Sequence, residues 1–143
     1  MNVYLLFILA ILIGSYLLEV VVEILNIKYL KTDLPEEFVG YYDADNYKKS
    51  QQYLKDYTRF GIITDTFFTA LTISFILFGG FNYVDAFARG FNLGSIPTGL
   101  IFAGILLFVS QIIHIPFSAY ATFVIEEKYG FNRTTVKTFF ADI

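Results

Sequence analysis

Apolar and polar positions are sorted along this chain into long blocks rather than alternating at a short period. Val3 to Ile24 carries only Glu19 and Glu23 as charged residues, Ile62 to Phe81 carries only Asp65, and Ile96 to Val124 carries none, with His114 as the one histidine of the protein. A helix needs roughly 20 apolar residues to cross a bilayer, so the three blocks predict membrane spans at about 3–24, 62–81 and 96–124. The pattern is that of an all-α, polytopic membrane protein whose 143 residues form one transmembrane domain.

Between the blocks the pattern changes. The first span is expected to end near Asn26, and Leu34-Pro35 breaks the chain before Glu36-Glu37, an acidic pair suited to a first helical turn. From Asp45 to Phe60 the chain reads as an amphipathic helix. Tyr53, Tyr57 and Phe60 fall at i, i+4 and i+7, with Lys48, Lys49, Lys55 and Asp56 elsewhere around it. A tyrosine-rich helix leading into a span is predicted to lie at the membrane interface. Val84, Phe87, Ala88 and Phe91 mark a second, shorter amphipathic stretch. Ser95 as N-cap with Pro97 in the first turn predicts the start of the third span, and Pro116 predicts a kink in it. That helix is expected to project past the membrane to Glu127 or Lys128, with Gly130 as the C′ residue at positive φ. Asn132 or Thr134 then caps a further helix with Val136, Phe139, Phe140 and Ile143 on one face.

The hydrophobic share is 56% and the aromatic share 20%, which excludes an ordinary soluble domain. The chain has no cysteine, so disulfides and thiolate metal sites are ruled out, and a net charge of −3 argues against nucleic acid as a partner. The first block has no basic n-region and no small-x-small site after it, so it reads as a retained span rather than a cleaved signal. Lys28, Lys31, Lys48, Lys49, Lys55 and Arg59 lie between the first two blocks, Arg89 alone between the second and third, and Lys128, Arg133 and Lys137 after the third. The positive-inside bias therefore puts the first loop and the C-terminus in the cytosol and the N-terminus outside.

Few residues offer chemistry. Glu19 and Glu23, four apart, share one helix face, and a carboxylate at mid-bilayer costs on the order of 3 kcal/mol. Their place toward the cytosolic end leaves two roles open, lining a hydrated cavity or an interfacial ion pair. Asp65, a turn or so from Arg59, has the same two roles. A hydrolytic zinc site takes three protein ligands and a water position, which His114 alone does not supply. Glu126 and Glu127 are adjacent, hence about 100° apart on a helix, and do not converge as an acid/base pair. With Lys128, Gly130, Phe131 and Asn132 they read as a rigid docking post that fixes the direction of chain exit. Asn132-Arg133-Thr134 fits the glycosylation pattern but falls on the predicted cytosolic side. Gly99 and Ala103 suggest a close helix approach.

Two stretches, Ile115 to Asp142 (IPFSAYATFVIEEKYGFNRTTVKTFFAD) and Leu34 to Phe60 (LPEEFVGYYDADNYKKSQQYLKDYTRF), carry a family likeness. The second offers a Pro-Glu turn, an aspartate and a Lys-Ser-x-x-Tyr helix entering the next span, and Phe78 to Gly80 adds a Phe-Gly-Gly. In this order and spacing the chain resembles the N-terminal membrane domain of the type I CAAX prenyl proteases, integral-membrane zinc metallopeptidases. The resemblance implies a chamber of seven spans in the complete enzyme, in the bacterial inner membrane or the endoplasmic reticulum. It also implies a cytosol-facing zinc site acting on prenylated or other membrane proteins, and a post at Glu126 to Asn132 that packs against the peptidase part. The family's His-Glu-x-x-His helix is absent, so no catalytic or metal residue is assigned here and zinc is expected only in the complete protein. The rival readings are a stand-alone membrane adaptor with the same fold, or a transporter-like subunit using Glu19, Glu23 and Asp65.

Overall fold

The computed structural model of the protein describes residues 2–142, and these are helices joined by short turns. Helix α1 spans Val3–Tyr29 and opens on Asn2, whose side chain accepts from the Tyr4 backbone N–H at 3.1 Å. It runs past the expected end at Asn26 because nothing before Leu30 breaks it, and Lys28 favours the negative end of the helix. A 3₁₀ turn over Glu36–Phe38 follows Pro35, where the acidic pair placed a helical turn.

Helix α2 spans Ala44–Leu77 without a break, capped by the Asp43 side chain on the Asn46 N–H at 2.7 Å. The amphipathic stretch 45–60 is therefore not a separate interfacial helix. It is the first half of the helix whose second half is the span, because Gly61 sits in regular helix and no capping residue interrupts 60–62. At about 1.5 Å per residue α2 is about 51 Å long against a hydrocarbon core of about 30 Å. A single crossing therefore does not use the whole of its length.

The second span ends at Leu77, not Phe81. Gly79 turns the chain with φ 73°, and α3, Gly80–Arg89, starts at once. Gly80 is buried against the Phe75 ring, which leaves no room for a Cβ. Ala88 is fully buried on the inner face of α3, whereas Phe87 and Phe91 point outward.

Helix α4 spans Ser95–Tyr120. Its N-cap is Gly94, at φ 83°, so Ser95 is the first helical residue rather than the cap. Pro116 lies inside the helix, and the departure from α geometry comes later, as a π-helical turn over Ala121–Glu126. A last turn, α5, spans Glu127–Tyr129 and leads to Gly130 at φ 68°, the positive φ expected there. Helix α6, Val136–Ala141, is capped by Thr135, which accepts from the Thr138 N–H at 3.2 Å. Asn132 instead makes a local turn, accepting from the Thr134 N–H at 2.7 Å, which takes both expected caps out of that role. Ile143, expected on the face of α6, lies outside the described residues.

Helix α2 is the centre of the arrangement. Helix α1 meets it through Tyr16, whose hydroxyl lies 2.8 Å from that of Thr66. Since Thr66 donates to the Ile62 carbonyl, Tyr16 is the donor in this pair. Helix α4 packs on the other side through a ladder of rings, Phe60 with Tyr120 at 4.8 Å, Phe67 with Phe117 at 5.0 Å and Phe68 with His114 at 3.8 Å. Gly99 has no neighbour where a Cβ would stand, so the expected close helix approach at Gly99 and Ala103 is absent among the described residues. The apolar side chains of the spans are largely exposed, as surfaces that meet lipid or further protein are.

Candidate functional site

The residues that bring the most distant parts of the sequence together lie where the polar half of α2 meets α5. Asp56 is the hub. Its Oδ2 accepts from Lys128 Nζ at 2.7 Å and from the Tyr129 hydroxyl at 2.6 Å, and Arg59 stands 4.0 Å from Oδ1. One turn earlier on α2, the Tyr53 ring meets Tyr129 at 5.7 Å and Phe131 at 5.0 Å, both edge-to-face. Tyr129 and Ile125 are buried here, among the few buried side chains described.

The chain leaves this junction in a fixed direction. The Phe131 N–H bonds back to the Glu126 carbonyl and the Gly130 N–H to that of Glu127, both at 2.9 Å, with Gly130 left-handed between them. This is a Schellman closure, in which a glycine avoids the cost of a Cβ at positive φ. Asn132 Nδ2 donates to Glu127 Oε2 at 3.0 Å, which ties the exiting strand to the helix it has left. Lys49 reaches over from α2, its Nζ 5.7 Å above the Phe131 ring. Glu126, Glu127, Lys128, Gly130, Phe131 and Asn132 therefore form one braced structure, with Glu127 turned to Asn132.

The electrostatics follow from these contacts, all outside the apolar blocks. The Lys128 and Tyr129 hydrogen bonds hold the Asp56 carboxyl below its ordinary value. The Asp56 hydrogen bond raises Lys128. Burial, then the Asp56 bond, raises Tyr129. Burial, then the Glu126 charge, raises Tyr53. At neutral pH the junction is thus a carboxylate held by one ammonium and one phenol.

The π turn sets the register of this contact. Phe117 and Tyr129 are twelve positions apart and both face α2. At about 100° per residue an unbroken α-helix would put them about 120° apart. A turn bonded i→i+5 absorbs one extra residue, so the two positions fall about 20° apart instead.

The remaining sequence candidates stay separate from the junction. Glu19 and Glu23 line a shallow groove with Ser15, and Glu23 accepts from Asn26 Nδ2 at 3.4 Å. Among the described residues neither carboxylate, nor Asp65, makes an ion pair, and Arg59 faces Asp56 rather than Asp65. His114 is stacked flat on Phe68, with Nδ1 2.9 Å from the Ser110 carbonyl. No three ligating side chains gather among the described residues, so these residues do not compose a zinc site. Sequence reasoning missed Asp56 and Tyr129. The aromatic stripe at Tyr53 marked the right face of α2, but nothing local says that an aspartate there meets a lysine 72 positions later.

Comparison with known proteins places this architecture. The family described as "CAAX prenyl protease N-terminal, five membrane helices" matches residues 23–143, and the described residues hold three helices of membrane length. The probable CAAX prenyl protease 1 of Schizosaccharomyces pombe is 31% identical over 145 residues, covering 92% of this chain and 31% of the relative. The CAAX prenyl protease 1 homolog of Arabidopsis thaliana is 33% identical over 141 residues, covering 92% of this chain and 33% of the relative. The crystal structure of S. mikatae Ste24p superposes with a TM-score of 0.87 at 28% identity, covering 99% of this chain and 35% of that one. The chain thus spans about a third of the length of the curated relatives it matches. With its three membrane-length helices and its matches to the N-terminal part of these proteins, the chain is an integral membrane protein and belongs to the CAAX prenyl protease family.

Proposed function

We propose that this chain is the N-terminal membrane portion of a zinc-dependent endopeptidase that cleaves prenylated or other membrane proteins. In this role it forms part of the chamber wall and holds the peptidase part in place. The observation that carries the reading is the braced turn α5, where Asp56, Lys128, Tyr129 and Gly130 fix both the position and the direction of the chain as it leaves the membrane. Zinc and the groups that bind it belong to the peptidase part, and the post from Glu126 to Asn132 is the surface on which that part seats. The first loop and the C-terminal end face the cytosol, as the clustering of nine of the ten basic residues at one membrane side favours. Glu19, Glu23 and Asp65 face the hydrated interior, which their lack of ion pairs among the described residues supports.

The test is to translate the native transcript onward from Ile143 and assay the full-length protein on a farnesylated peptide ending in a CAAX sequence. A His-Glu-x-x-His helix downstream and cleavage abolished by a zinc chelator are expected. A stop codon at this point, or a full-length protein without chelator-sensitive cleavage, overturns the reading in favour of a non-catalytic membrane adaptor.

A further inference from the structure

Helices α2 and α4 are tied together at both ends and held apart between them. At one end α2 closes on the π turn and on α5, and toward the other end α2 and α4 both pack on α3. Helix α3 is a fixed wedge there. Gly80 leaves no room for a Cβ against Phe75, the Phe81 ring meets Phe75 edge-on at 4.9 Å, and Ala88 is fully buried. Between wedge and junction the three helices enclose a cavity of ≈ 360 Å³. Its floor is Phe68, whose ring is stacked on His114, and its roof is Phe81 with Val84. Phe75, Ile105 and Ile113 stand in its walls. Leu71 and Val109 also line it yet keep 38% and 47% exposure, so the cavity opens sideways past them.

The walls decide what can fill this space. Thr72 and Ser110 are the only lining residues with a polar side chain, and an ordered water needs about two to four polar partners. Water therefore does not fill it. Left empty, the cavity would cost its lining side chains the dispersion contacts that packing supplies. A further membrane helix does not fit either. Along α4 the cavity runs from Ile105 to Ile113, about 12 Å at 1.5 Å per residue, and is closed beyond by Phe81 and Phe68. A span of about 20 residues can cross its mouth but cannot run through it. What remains is a thin, flexible, apolar chain. The lining residues of α2 and α4 belong to two of the helices of membrane length, so the mouth stands at the depth of the bilayer hydrocarbon. The length of about 12 Å is also close to one leaflet's half of a hydrocarbon core about 30 Å thick.

We propose that the cavity framed by α2, α3 and α4 binds one acyl chain of a membrane phospholipid, which enters sideways between Leu71 and Val109. The bound chain is a structural ligand that completes the packing between α2 and α4. Recognition is by the apolar chain and its length, and the headgroup stays in the interface without a dedicated partner. The proposal rests on the membrane placement of the chain and is independent of the endopeptidase reading.

The test counts bound lipid on the full-length protein in mild detergent by native mass spectrometry, with dioleoyl phosphatidylcholine as the added probe. Val109→Trp, which fills the cavity, should carry one lipid fewer than the parent. Leu107→Trp, the same change about 160° round α4 at a residue 72% exposed, should carry the parental number. Ser110→Leu is a smaller filler that guards against overpacking by the indole, and it too should lose one lipid. After delipidation both filling variants should melt above the parent and gain nothing from added lipid. The parent should gain from dioleoyl phosphatidylcholine and equally from dioleoyl phosphatidylethanolamine, but not from dihexanoyl phosphatidylcholine, whose chains are too short. An unchanged lipid count in both fillers overturns the proposal, and so does an equal loss in Leu107→Trp. Lower melting of both fillers without loss of lipid also overturns it, because a side chain from the protein's remaining helices then occupies the space. Displacement of the lipid by farnesol at concentrations at which oleyl alcohol does nothing would assign the cavity to an isoprenoid and refute the acyl-chain occupant. None of these readouts involves cleavage, so failure here leaves the endopeptidase reading untouched.

Discussion

The π turn over Ala121–Glu126 makes an unusual prediction, that removing a residue from it is harmless while adding one is not. Phe117 and Tyr129 share the α2-facing side only because the turn absorbs one of the twelve residues between them. Deleting Val124, which is 47% exposed, lets the segment relax to a regular α-helix of eleven steps. That is about three turns plus 20°, which keeps Tyr129 on Asp56 and Tyr53. Inserting an alanine after Val124 swings Tyr129 and everything beyond it by about 100°, away from both. Because the chain has no cysteine, Lys49→Cys with Phe131→Cys reports on the junction through a short bismaleimide. Those two side chains lie 5.7 Å apart, measured from Lys49 Nζ to the ring centre. The deletion should cross-link as well as the parent and melt at the same or higher temperature, and the insertion should lose the cross-link. If deletion and insertion are equally damaging, the turn is not a register device and the reasoning is wrong.

Two further outcomes follow from the same junction. Asp56 is held below its ordinary value of 3.8 by Lys128 and Tyr129, so its contribution is fully present above that value and is lost as pH falls through the lowered one. Thermal melts of detergent-solubilised protein from neutral pH down to pH 2.5 should show a steeper acid loss for the parent than for Asp56→Asn. Equal slopes would rule out the clamp. Gly130→Val forces a β-branched residue to φ 68°, where an L side chain costs about 1–2 kcal/mol. On the proposed function, full-length protein carrying it should insert and express normally yet lose most of the expected cleavage activity, and unchanged activity in a well-expressed variant would remove the post from the account.

The sequence states the long-range plan of this fold and says little about its joints. The three apolar blocks, the turn at Glu36-Glu37 and the left-handed Gly130 are local signals, each written within a few residues, and the structure has each of them in place. The caps at Ser95 and Asn132 were misplaced by one to three positions because Gly94 and Thr135 compete for the same role, and small energy differences decide between neighbours. The continuity of α2 through Gly61 was illegible for another reason. The amphipathic half and the apolar half differ in composition, and a glycine at the boundary reads as a break, whereas no capping residue at 60–62 ends the helix. Asp56 was hidden because its partners are 72 and 73 positions away.

The central claim is that the Asp56 clamp positions α5 for the proposed peptidase part, and a charge exchange tests it most directly. In the full-length protein, Asp56→Lys and Lys128→Asp should each lower kcat/KM on a farnesylated peptide at least about tenfold without loss of membrane insertion. The double variant, which restores an oppositely charged pair across the same 2.7 Å contact, should recover most of that loss. Single variants that keep full activity, or a double variant as poor as the sum of the two, would contradict it.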